Sequence, residues 1–464
     1  MTNNYQKSAS ASSIFRQNDS HLFFAGIGGI SMSALAFMEQ RAGKTCSGYD
    51  AVASPLTDKL RAAGIPVATT FDPSLLDGVD LVIYTGAIHD TDPVLKTPRE
   101  RGIPTMTRAE AFGEMMRCFD NPIGVAGTHG KSTTTGMLAS VFTLAEGRDP
   151  TVMVGAELSL LDGTWRTGAG EDFIFEACEY QDSFLHFFPR LAVILNVAHD
   201  HDDYFPTLED VICSFTRFAD LAKDGCAILN RDDRGSIEVA KRTAAPVFFF
   251  SRKGNADIRS ENETEREGFW SFDAYTKEGL YAHIDLNVPG EHNIGNALAA
   301  LAAAKLSGIS GAEAARGIAA FGGVRRRFEY RGKCHAYKVY DDYAHHPDEI
   351  RATLNTARKM TRDPVTVVYQ PHTYSRTKAH WDDFAASLSL ADRVIMMDIY
   401  PAREAPLPGI TSERLAKEIR GGEYVGDENA IAKTLLDSRE GGMLIIMGAG
   451  DIIHLTDKIL TEGL

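Results

Sequence analysis

One glycine-rich segment constrains the fold more than any other part of the chain. The residues Gly127-Thr-His-Gly-Lys-Ser132 follow an apolar strand, Ile123–Ala126, and precede a helix that runs to about Leu144. A GK[ST] loop in this context lets backbone N–H groups turn toward an anion, while the lysine reaches the outer phosphates and the hydroxyl binds Mg²⁺. The alternative is a glycine-rich turn with an exposed lysine. The strand–loop–helix order favours a nucleotide phosphate site.

Two acidic segments follow later strands, where ligands for a nucleotide-bound Mg²⁺ are expected. Glu176 ends the apolar strand Phe173–Glu176, and five consecutive His and Asp residues, His199 to Asp203, follow the strand Leu191–Val197. Polar groups gathered at strand ends indicate metal or substrate chemistry. A solvated strand end for Glu176, or a polar loop for any single member of the His/Asp group, stays open as the alternative.

The same His/Asp loop allows a competing interpretation as a zinc site. His199, His201 and Asp203 match the first part of an HxHxDH pattern, in which imidazoles bind Zn²⁺ and activate water. The last position of that pattern is Tyr204 here, and a phosphate loop upstream has no place in such a hydrolase. The zinc hydrolase is therefore the lesser alternative.

A second glycine cluster lies near the N-terminus. Gly26-x-Gly28-Gly29 follows the strand His21–Ala25, and Asp50 ends the next strand. This spacing resembles a dinucleotide-binding turn with a ribose-binding carboxylate, although Ser31 stands at the third glycine position. An NAD site, a nucleotide-sugar site and a simple tight βα turn all fit the pattern.

Strands alternate with helices over most of the 464 residues, which predicts an α/β fold with parallel sheets. We expect three domains. The N-terminal and C-terminal domains are Rossmann-like, and the central domain is a P-loop-type ATPase whose sheet is mixed because 254–288 forms an antiparallel appendage. The expected ranges are a flexible polar tail at 1–20 and domains at 21–118, 119–322 and 323–464.

Composition narrows the classes of partner. The net charge of −15 disfavours nucleic acid, because a phosphate backbone would be repelled by most of the surface. No apolar run reaches the ~18–20 residues that span a bilayer, and the polar start lacks a signal peptide, so we expect a cytoplasmic protein without a membrane partner. Six scattered cysteines favour free thiols. The oligomeric state stays open between monomer and dimer.

Two further clusters carry groups suited to ligand binding. Asn293 and Asn296 lie three residues apart after His292, and carboxamides suit the adenine edge; capping of a helix by Asn293 is the alternative. Later, Arg325-Arg-Arg327 and the segment Asp341–His346 bring positive charge and imidazoles to the start of the third unit.

With these residues in view, the chain resembles the Mur ligases from about residue 20 to its end. The blocks that carry the resemblance are GIGGISMSALA (26–36), SGYD (47–50), GTHGKSTTT (127–135), EACEYQDSFL (176–185), DHDDY (200–204), GEHNIGNALAA (290–300), RRRFEYRG (325–332), DDYAHHPDEI (341–350), QPHTYSRT (370–377) and GAGDI (448–452). The DDYAHHP and QPHTYSRT blocks favour the family member that adds the first amino acid of the peptidoglycan stem peptide.

The resemblance implies an ATP- and Mg²⁺-dependent ligase that joins L-alanine to the carboxylate of UDP-N-acetylmuramate through an acyl phosphate. It implies catalytic roles for Lys131, Glu176, His201, Arg327 and Asp342, and Mg²⁺ ligation by Ser132, Glu176 and His201. ATP would be bound by Gly127, Thr128, His129, Gly130, Lys131, Ser132, Thr133, His292, Asn293, Asn296, Arg327 and Asp342. The other substrates would be bound by Gly28, Gly29, Asp50, Ser183, Tyr343, His345, His372 and Arg376.

The chain departs from the family pattern at a few positions. Ser31 and Ser132 are mild changes, since the second keeps the hydroxyl of the usual threonine. Ala198 stands where a glutamate is common, and Thr373 where an arginine near the amino-acid carboxylate is common. Thr70-Phe71 stands where Gly-His is common. These departures motivate a second expectation, a UDP-sugar-binding protein with weakened catalysis.

Overall fold

Three separate sheets organise the chain, as the alternating pattern predicts. The computed structural model describes residues 11–161, 163–200, 204–402, 404–438 and 440–462. A five-stranded, a ten-stranded and a six-stranded sheet follow one another along the sequence. Each sheet lies inside one of the three expected domain ranges, whose boundaries stay predictions. His201 and Asp203 lie outside the described residues.

The N-terminal sheet is wholly parallel, with the strand order β3-β2-β1-β4-β5. Its strands are β1 (His21–Ala25), β2 (Thr45–Tyr49), β3 (Val67–Ala68), β4 (Leu81–Tyr84) and β5 (Thr105–Thr107). Its helices span Ile30–Arg41, Pro55–Ala62, Pro93–Glu100 and Arg108–Met116. The order reverses at β1, so the glycine loop after β1 opens at a switch point, where α/β sheets bind ligands.

The central sheet is mixed, with the strand order β15-β14-β13-β12-β11-β10-β6-β9-β7-β8. Its strands are β6 (Asn121–Ala126), β7 (Thr151–Leu158), β8 (Gly163–Arg166), β9 (Asp172–Glu176), β10 (Leu191–Ile194), β11 (Cys226–Asn230), β12 (Val247–Ser251), β13 (Ile258–Arg266), β14 (Phe269–Thr276) and β15 (Gly279–Asp285). Its α-helices span Lys131–Leu144, Leu208–Leu221, Arg234–Arg242, His292–Leu306 and Gly311–Ala320. The pairs β13–β14 and β14–β15 are antiparallel, which confirms the appendage predicted at 254–288.

The C-terminal sheet has the order β16-β17-β21-β18-β19-β20, and only its edge strand β16 is antiparallel to its neighbour. Its strands are β16 (Glu329–Cys334), β17 (Ala336–Asp342), β18 (Val365–Tyr369), β19 (Arg393–Met397), β20 (Gly422–Gly426) and β21 (Gly441–Met447). Its helices span Pro347–Met360, Tyr374–Ala379, Trp381–Leu388, Ser412–Glu418, Glu428–Asp437 and Ile453–Glu462.

Inner strands of the central and C-terminal sheets are buried along their whole length. Every residue of β6, β10 and β18 is buried. Parallel strands covered by helices on both faces read as continuous apolar runs, which is why these segments stand out in the sequence. Within the described part of the chain, no helix is long and apolar enough to cross a membrane.

The expected flexible tail is wrong for its second half. Residues 11–15 are helical, and Ala11 and Phe15 are each 2% exposed. The ammonium of Lys44 lies 4.1 Å from the centre of the Phe15 ring and 2.5 Å from Glu39 Oε2. Apolar residues spaced three and four apart in an otherwise polar segment form a helical stripe that the polar composition masked.

We expect Phe15→Ala to lower the free energy of unfolding by about 3 kcal/mol, because it leaves a cavity beside a buried ion pair. Urea unfolding followed by circular dichroism measures the change. Phe269→Ala, at a partly exposed phenylalanine of β14, is the matched control and should cost less than about 0.5 kcal/mol. Equal effects in the two variants would contradict the packing of this first helix.

Candidate functional site

The phosphate loop turns on two glycines with left-handed backbone angles. Gly127 has a φ of 145° and Gly130 a φ of 86°. A Cβ at Gly130 would lie 2.6 Å from Asn296 Oδ1, so the loop approaches the helix His292–Leu306 too closely for any side chain. The loop therefore lies directly against the residues that the sequence assigns to adenine.

The segment after β10 fixes the shape of this loop. Asn196 Oδ1 accepts the backbone N–H of His129 at 2.8 Å, and Asn196 Nδ2 donates to the His129 carbonyl at 3.0 Å. Thr128 Oγ1 accepts the N–H of Ala198 at 2.9 Å. The segment 196–198 therefore packs directly against the phosphate loop. Ala198 takes part through its backbone alone.

Lys131 is held inside its own loop. Its Nζ donates to the carbonyls of Gly127 at 2.5 Å and Thr128 at 3.2 Å, and lies 3.0 Å from the Glu179 carboxylate. Burial alone would lower the pKa of Lys131, but nearby Glu179, Cys178 and Glu176 outweigh it and raise this pKa. The lysine is therefore charged and positioned at the mouth of the loop.

Two oxygen ligands for a divalent cation lie together beside the loop. Ser132 Oγ donates to Glu176 Oε1 at 3.1 Å, and Glu176 Oε2 accepts the N–H of Gly155 at 2.9 Å. A hydroxyl and a carboxylate are the hard ligands that Mg²⁺ prefers, and Mg²⁺ keeps several waters besides. The described residues fit a magnesium ion at this point. The third expected ligand, His201, lies outside the described residues.

A cavity of about 390 Å³ opens between the central and C-terminal domains. It brings together most of the residues expected to bind ATP: His129, Gly130, Ser132, Thr133, His292, Asn293, Asn296, Arg327 and Asp342. Asn296 Nδ2 donates to Asn293 Oδ1 at 2.9 Å, and Asn293 Nδ2 donates to the Pro289 carbonyl at 2.7 Å. The capping alternative for Asn293 is wrong, because its helix has Glu291 at the N-cap and no side-chain cap.

The C-terminal domain contributes charge to the same cavity. Asp342 accepts the N–H groups of Phe328 at 3.0 Å and Ala344 at 2.7 Å. Burial, only partly offset by Arg327, raises the pKa of Asp342 to about 6. Burial and then the charge of Arg327 lower the pKa of His292 to about 4, so that imidazole is neutral at neutral pH.

Glu349 links the two domains at the edge of this cavity. Its Oε1 lies 3.4 Å from His129 Nδ1 in the phosphate loop and 3.4 Å from Arg327 Nη1. Its Oε2 accepts the backbone N–H of His345 at 3.1 Å. Burial would raise the pKa of Glu349, but His345, His129 and Arg327 hold it well below its usual value. An ionised carboxylate thus joins three of the expected site residues.

The four residues expected around the amino acid lie beside one another. The ring of His345 is 5.4 Å from that of Tyr343 and 6.0 Å from that of His372, centre to centre. Arg376 Nη1 lies 3.2 Å from His372 Nδ1, and Arg376 Nη2 lies 3.4 Å from Asp200 Oδ1. Ser183 is elsewhere, on the segment after β9, where its Oγ donates to the Cys178 carbonyl at 2.8 Å.

Gly26 and Gly29 line a second cavity, of about 420 Å³, together with Asp50, and Gly28 lies between them in the loop. Asp50 Oδ2 accepts the N–H of Gly28 at 2.8 Å, so this carboxylate also shapes the loop that it was expected to serve. A Cβ at Gly28 would lie 2.7 Å from the same oxygen. Ser31 Oγ accepts a hydrogen bond from Arg108 Nη1 at 2.6 Å on the wall of this cavity.

Sequence reasoning missed Glu179, Glu349 and Arg108. Glu179 stands two residues before a pair of left-handed residues, Gln181 and Asp182, and nothing in the sequence shows that this turn aims it at Lys131. Glu349 lies in the quoted DDYAHHPDEI block, but its neighbours there carry more obvious chemistry. His345 precedes the helix Pro347–Met360 that contains Glu349, so helical periodicity does not predict their contact.

Comparison with known proteins covers nearly the whole chain. The Mur ligase family catalytic domain matches residues 21–120, the Mur ligase middle domain matches 125–304, and the Mur ligase glutamate ligase domain matches 326–450. The UDP-N-acetylmuramate–L-alanine ligase of Clostridium novyi is 40% identical, over 96% of this chain and 98% of that protein. The ligase of the same name from Agathobacter rectalis is 41% identical, over 95% and 98%.

A solved structure shows the same architecture. The crystal structure of the UDP-N-acetylmuramate-alanine ligase MurC from Thermotoga maritima superposes with a TM-score of 0.78 at 27% identity. The match covers 95% of this chain and 98% of that one. The expected three-domain α/β fold is thereby confirmed.

We expect Gly130→Ala to abolish measurable nucleotide binding, since the new methyl group would strike Asn296 and strain the loop. Calorimetric titration with Mg²⁺ and a non-hydrolysable ATP analogue measures it. Gly86→Ala is the matched control, because a Cβ there meets nothing within 4 Å, and it should bind the analogue as the wild type does. Unchanged affinity in Gly130→Ala would show that the nucleotide does not use this loop.

Proposed function

Because the chain belongs to the Mur ligase family, we propose that it is an ATP-dependent ligase that joins the lactyl carboxylate of UDP-N-acetylmuramate to L-alanine. One observation carries the proposal: the phosphate loop lines, through Ser132 and its neighbours, a cavity that Arg327 and Asp342 of the C-terminal domain complete. Ser132 also hydrogen-bonds to Glu176. Full-length relatives of the same activity, at about 40% identity, support the same substrates.

In the first step the substrate carboxylate attacks the γ-phosphate of ATP and ADP leaves, because a free carboxylate is a poor electrophile. Lys131 and the loop N–H groups neutralise charge on the transferred phosphoryl group. When Mg²⁺ is bound by Ser132 and Glu176, it screens charge between the phosphates. Arg327 reaches the same cavity from the opposite domain, and the two asparagines Asn293 and Asn296 receive the adenine.

In the second step the amine of alanine attacks the acyl phosphate, the amide forms and phosphate leaves. Arg376 is the cation suited to the amino-acid carboxylate, because a guanidinium pairs with a carboxylate through two parallel hydrogen bonds. Without substrate it lies against Asp200, at 3.4 Å, which the incoming carboxylate would replace. Tyr343, His345 and His372 form the aromatic surroundings of the small methyl side chain.

The UDP moiety belongs in the N-terminal cavity, at the glycine loop and Asp50. This assignment replaces the NAD interpretation of the same glycines, since the family couples a sugar nucleotide to ATP rather than to a hydride acceptor. Ser183, which follows β9, is proposed to contact the sugar portion.

A binding protein with weakened turnover is the second candidate, motivated by Ala198 and Thr373. Thr373 adopts a φ of 65°, an uncommon value for a β-branched residue, and its Oγ1 lies 3.4 Å from Ser375 Oγ. The intact contacts of Lys131, Ser132 and Glu176 favour the enzyme. The zinc interpretation has no support at His199, because its Nε2 donates to the Phe205 carbonyl at 2.9 Å and so has no lone pair for a metal ion.

Phosphate release decides between enzyme and binding protein. We expect release to require ATP, Mg²⁺, UDP-N-acetylmuramate and L-alanine together, and chelation of Mg²⁺ by EDTA to stop it. A panel of L-alanine, glycine and L-serine tests the effect of Thr373. Calorimetric binding of the sugar nucleotide without any amide product would favour the weakened protein instead.

We expect Lys131→Ala to reduce kcat/KM by about 10³-fold or more, because it removes the cation aimed at the transferred phosphoryl group. Thermal unfolding checks that the fold is intact. Lys277→Ala is the matched control, at a lysine paired with Asp257 far from the loop, and should keep wild-type kinetics. Near-normal turnover in Lys131→Ala would contradict the assigned role.

A further inference from the structure

Amide formation releases a proton that the residues assigned so far do not account for. When the unprotonated amine attacks the acyl phosphate, its nitrogen gains a bond to carbon and must lose a proton as the carbon–oxygen bond to phosphate breaks. Arg376 carries no lone pair that could take this proton. A neutral base is therefore needed beside the amino acid.

His345 has the tautomer that such a base requires. Its Nδ1 lies 3.0 Å from the Tyr343 carbonyl oxygen. A carbonyl only accepts hydrogen bonds, so the ring proton is on Nδ1 and the lone pair is on Nε2. No described residue hydrogen-bonds to this Nε2. Burial, more than the nearby charges, lowers the pKa of His345 to about 4, which keeps the imidazole neutral at neutral pH.

The Glu349 carboxylate lies on the Nδ1 side of the same ring. Its Oε2 lies 3.5 Å from His345 Nδ1 and also accepts the backbone N–H of His345 at 3.1 Å. A buried carboxylate beside the far nitrogen holds the ring in one orientation and stabilises the imidazolium that forms on proton uptake. The same carboxylate also contacts His129 and Arg327, at 3.4 Å each.

His345 also lies beside the proposed amino-acid site. His345 lies between Tyr343 and His372, and His372 contacts Arg376. Only one carbon separates the carboxylate and the nitrogen of an amino acid, so an amino acid paired with Arg376 keeps its nitrogen among the neighbours of Arg376, and we place it on the side of His372 and His345.

We propose that His345 Nε2 accepts the proton of the attacking amine and that Glu349 is the positioning residue that orients it. This rests on the proposed ligase function. The nitrogen lone pair forms the C–N bond, the C–O bond to phosphate breaks, phosphate leaves with that electron pair, and the proton moves from nitrogen to Nε2. The imidazolium then returns the proton to solvent.

The two half-reactions separate this role from a structural one. In full-length His345→Gln we expect the acyl phosphate, trapped as the hydroxamate by hydroxylamine without alanine, to form at a rate within about threefold of wild type. Alanine-dependent kcat should fall at least 10²-fold, with a much smaller change in the KM for alanine. His335→Gln, at an exposed histidine of the β16–β17 turn, is the control and should match wild type.

Chemical rescue tests Glu349. Added imidazole should raise the alanine-dependent kcat of His345→Ala at least tenfold, and much less in the double variant with Glu349→Gln, because free imidazole then lacks its orienting carboxylate. An alanine-dependent kcat within threefold of wild type in His345→Gln would overturn the proposal. So would equal loss of both half-reactions. A wild-type protein that yields no hydroxamate and no amide would instead overturn the ligase function itself.

Discussion

The site depends on the register of three parallel strands. Val125 of β6 lies opposite Glu176 of β9, and Ala126 lies opposite Ile194 of β10. The phosphate loop, the carboxylate for the metal and the segment that begins at Asn196 therefore leave the sheet at one edge and at one height. A slip of one residue in the β6–β9 pairing would turn Glu176 to the other face of the sheet and separate it from Ser132.

The chemistry at this edge was predictable because it is local. The GK[ST] loop, Glu176 and the two asparagines are each placed by a strand or helix that the apolar pattern reveals, and the strand ends of a parallel sheet converge. Glu179 and Glu349 were not predictable in the same way. Their contacts depend on a left-handed turn at Gln181 and on how the C-terminal domain approaches the loop, and neither follows from periodicity. The first helix was missed because its apolar stripe is only three residues long.

The chain is acidic overall, but its site for anionic ligands has cations from both the central and the C-terminal domain. Lys131 and Arg327 come from different domains, and each has a largely buried carboxylate beside it, Glu179 and Glu349 respectively. Those carboxylates hold the cations charged despite burial, which is the condition for attracting phosphate. Glu349 also contacts His129 of the phosphate loop. One residue therefore pairs with a cation of the site and joins the two domains.

The ion pair between Glu179 and Lys131 has a consequence for turnover. A phosphate that enters the loop must compete with a resident carboxylate 3.0 Å from the ammonium. Nucleotide binding is thus an exchange of one anion for another rather than the filling of an empty charged site. The Glu179 carboxylate pairs with Lys131 again when ADP and phosphate leave, and this competition lowers the affinity of the loop for the products. A modest affinity for ADP therefore helps turnover, because a loop that bound ADP tightly would make product release the slow step of each cycle.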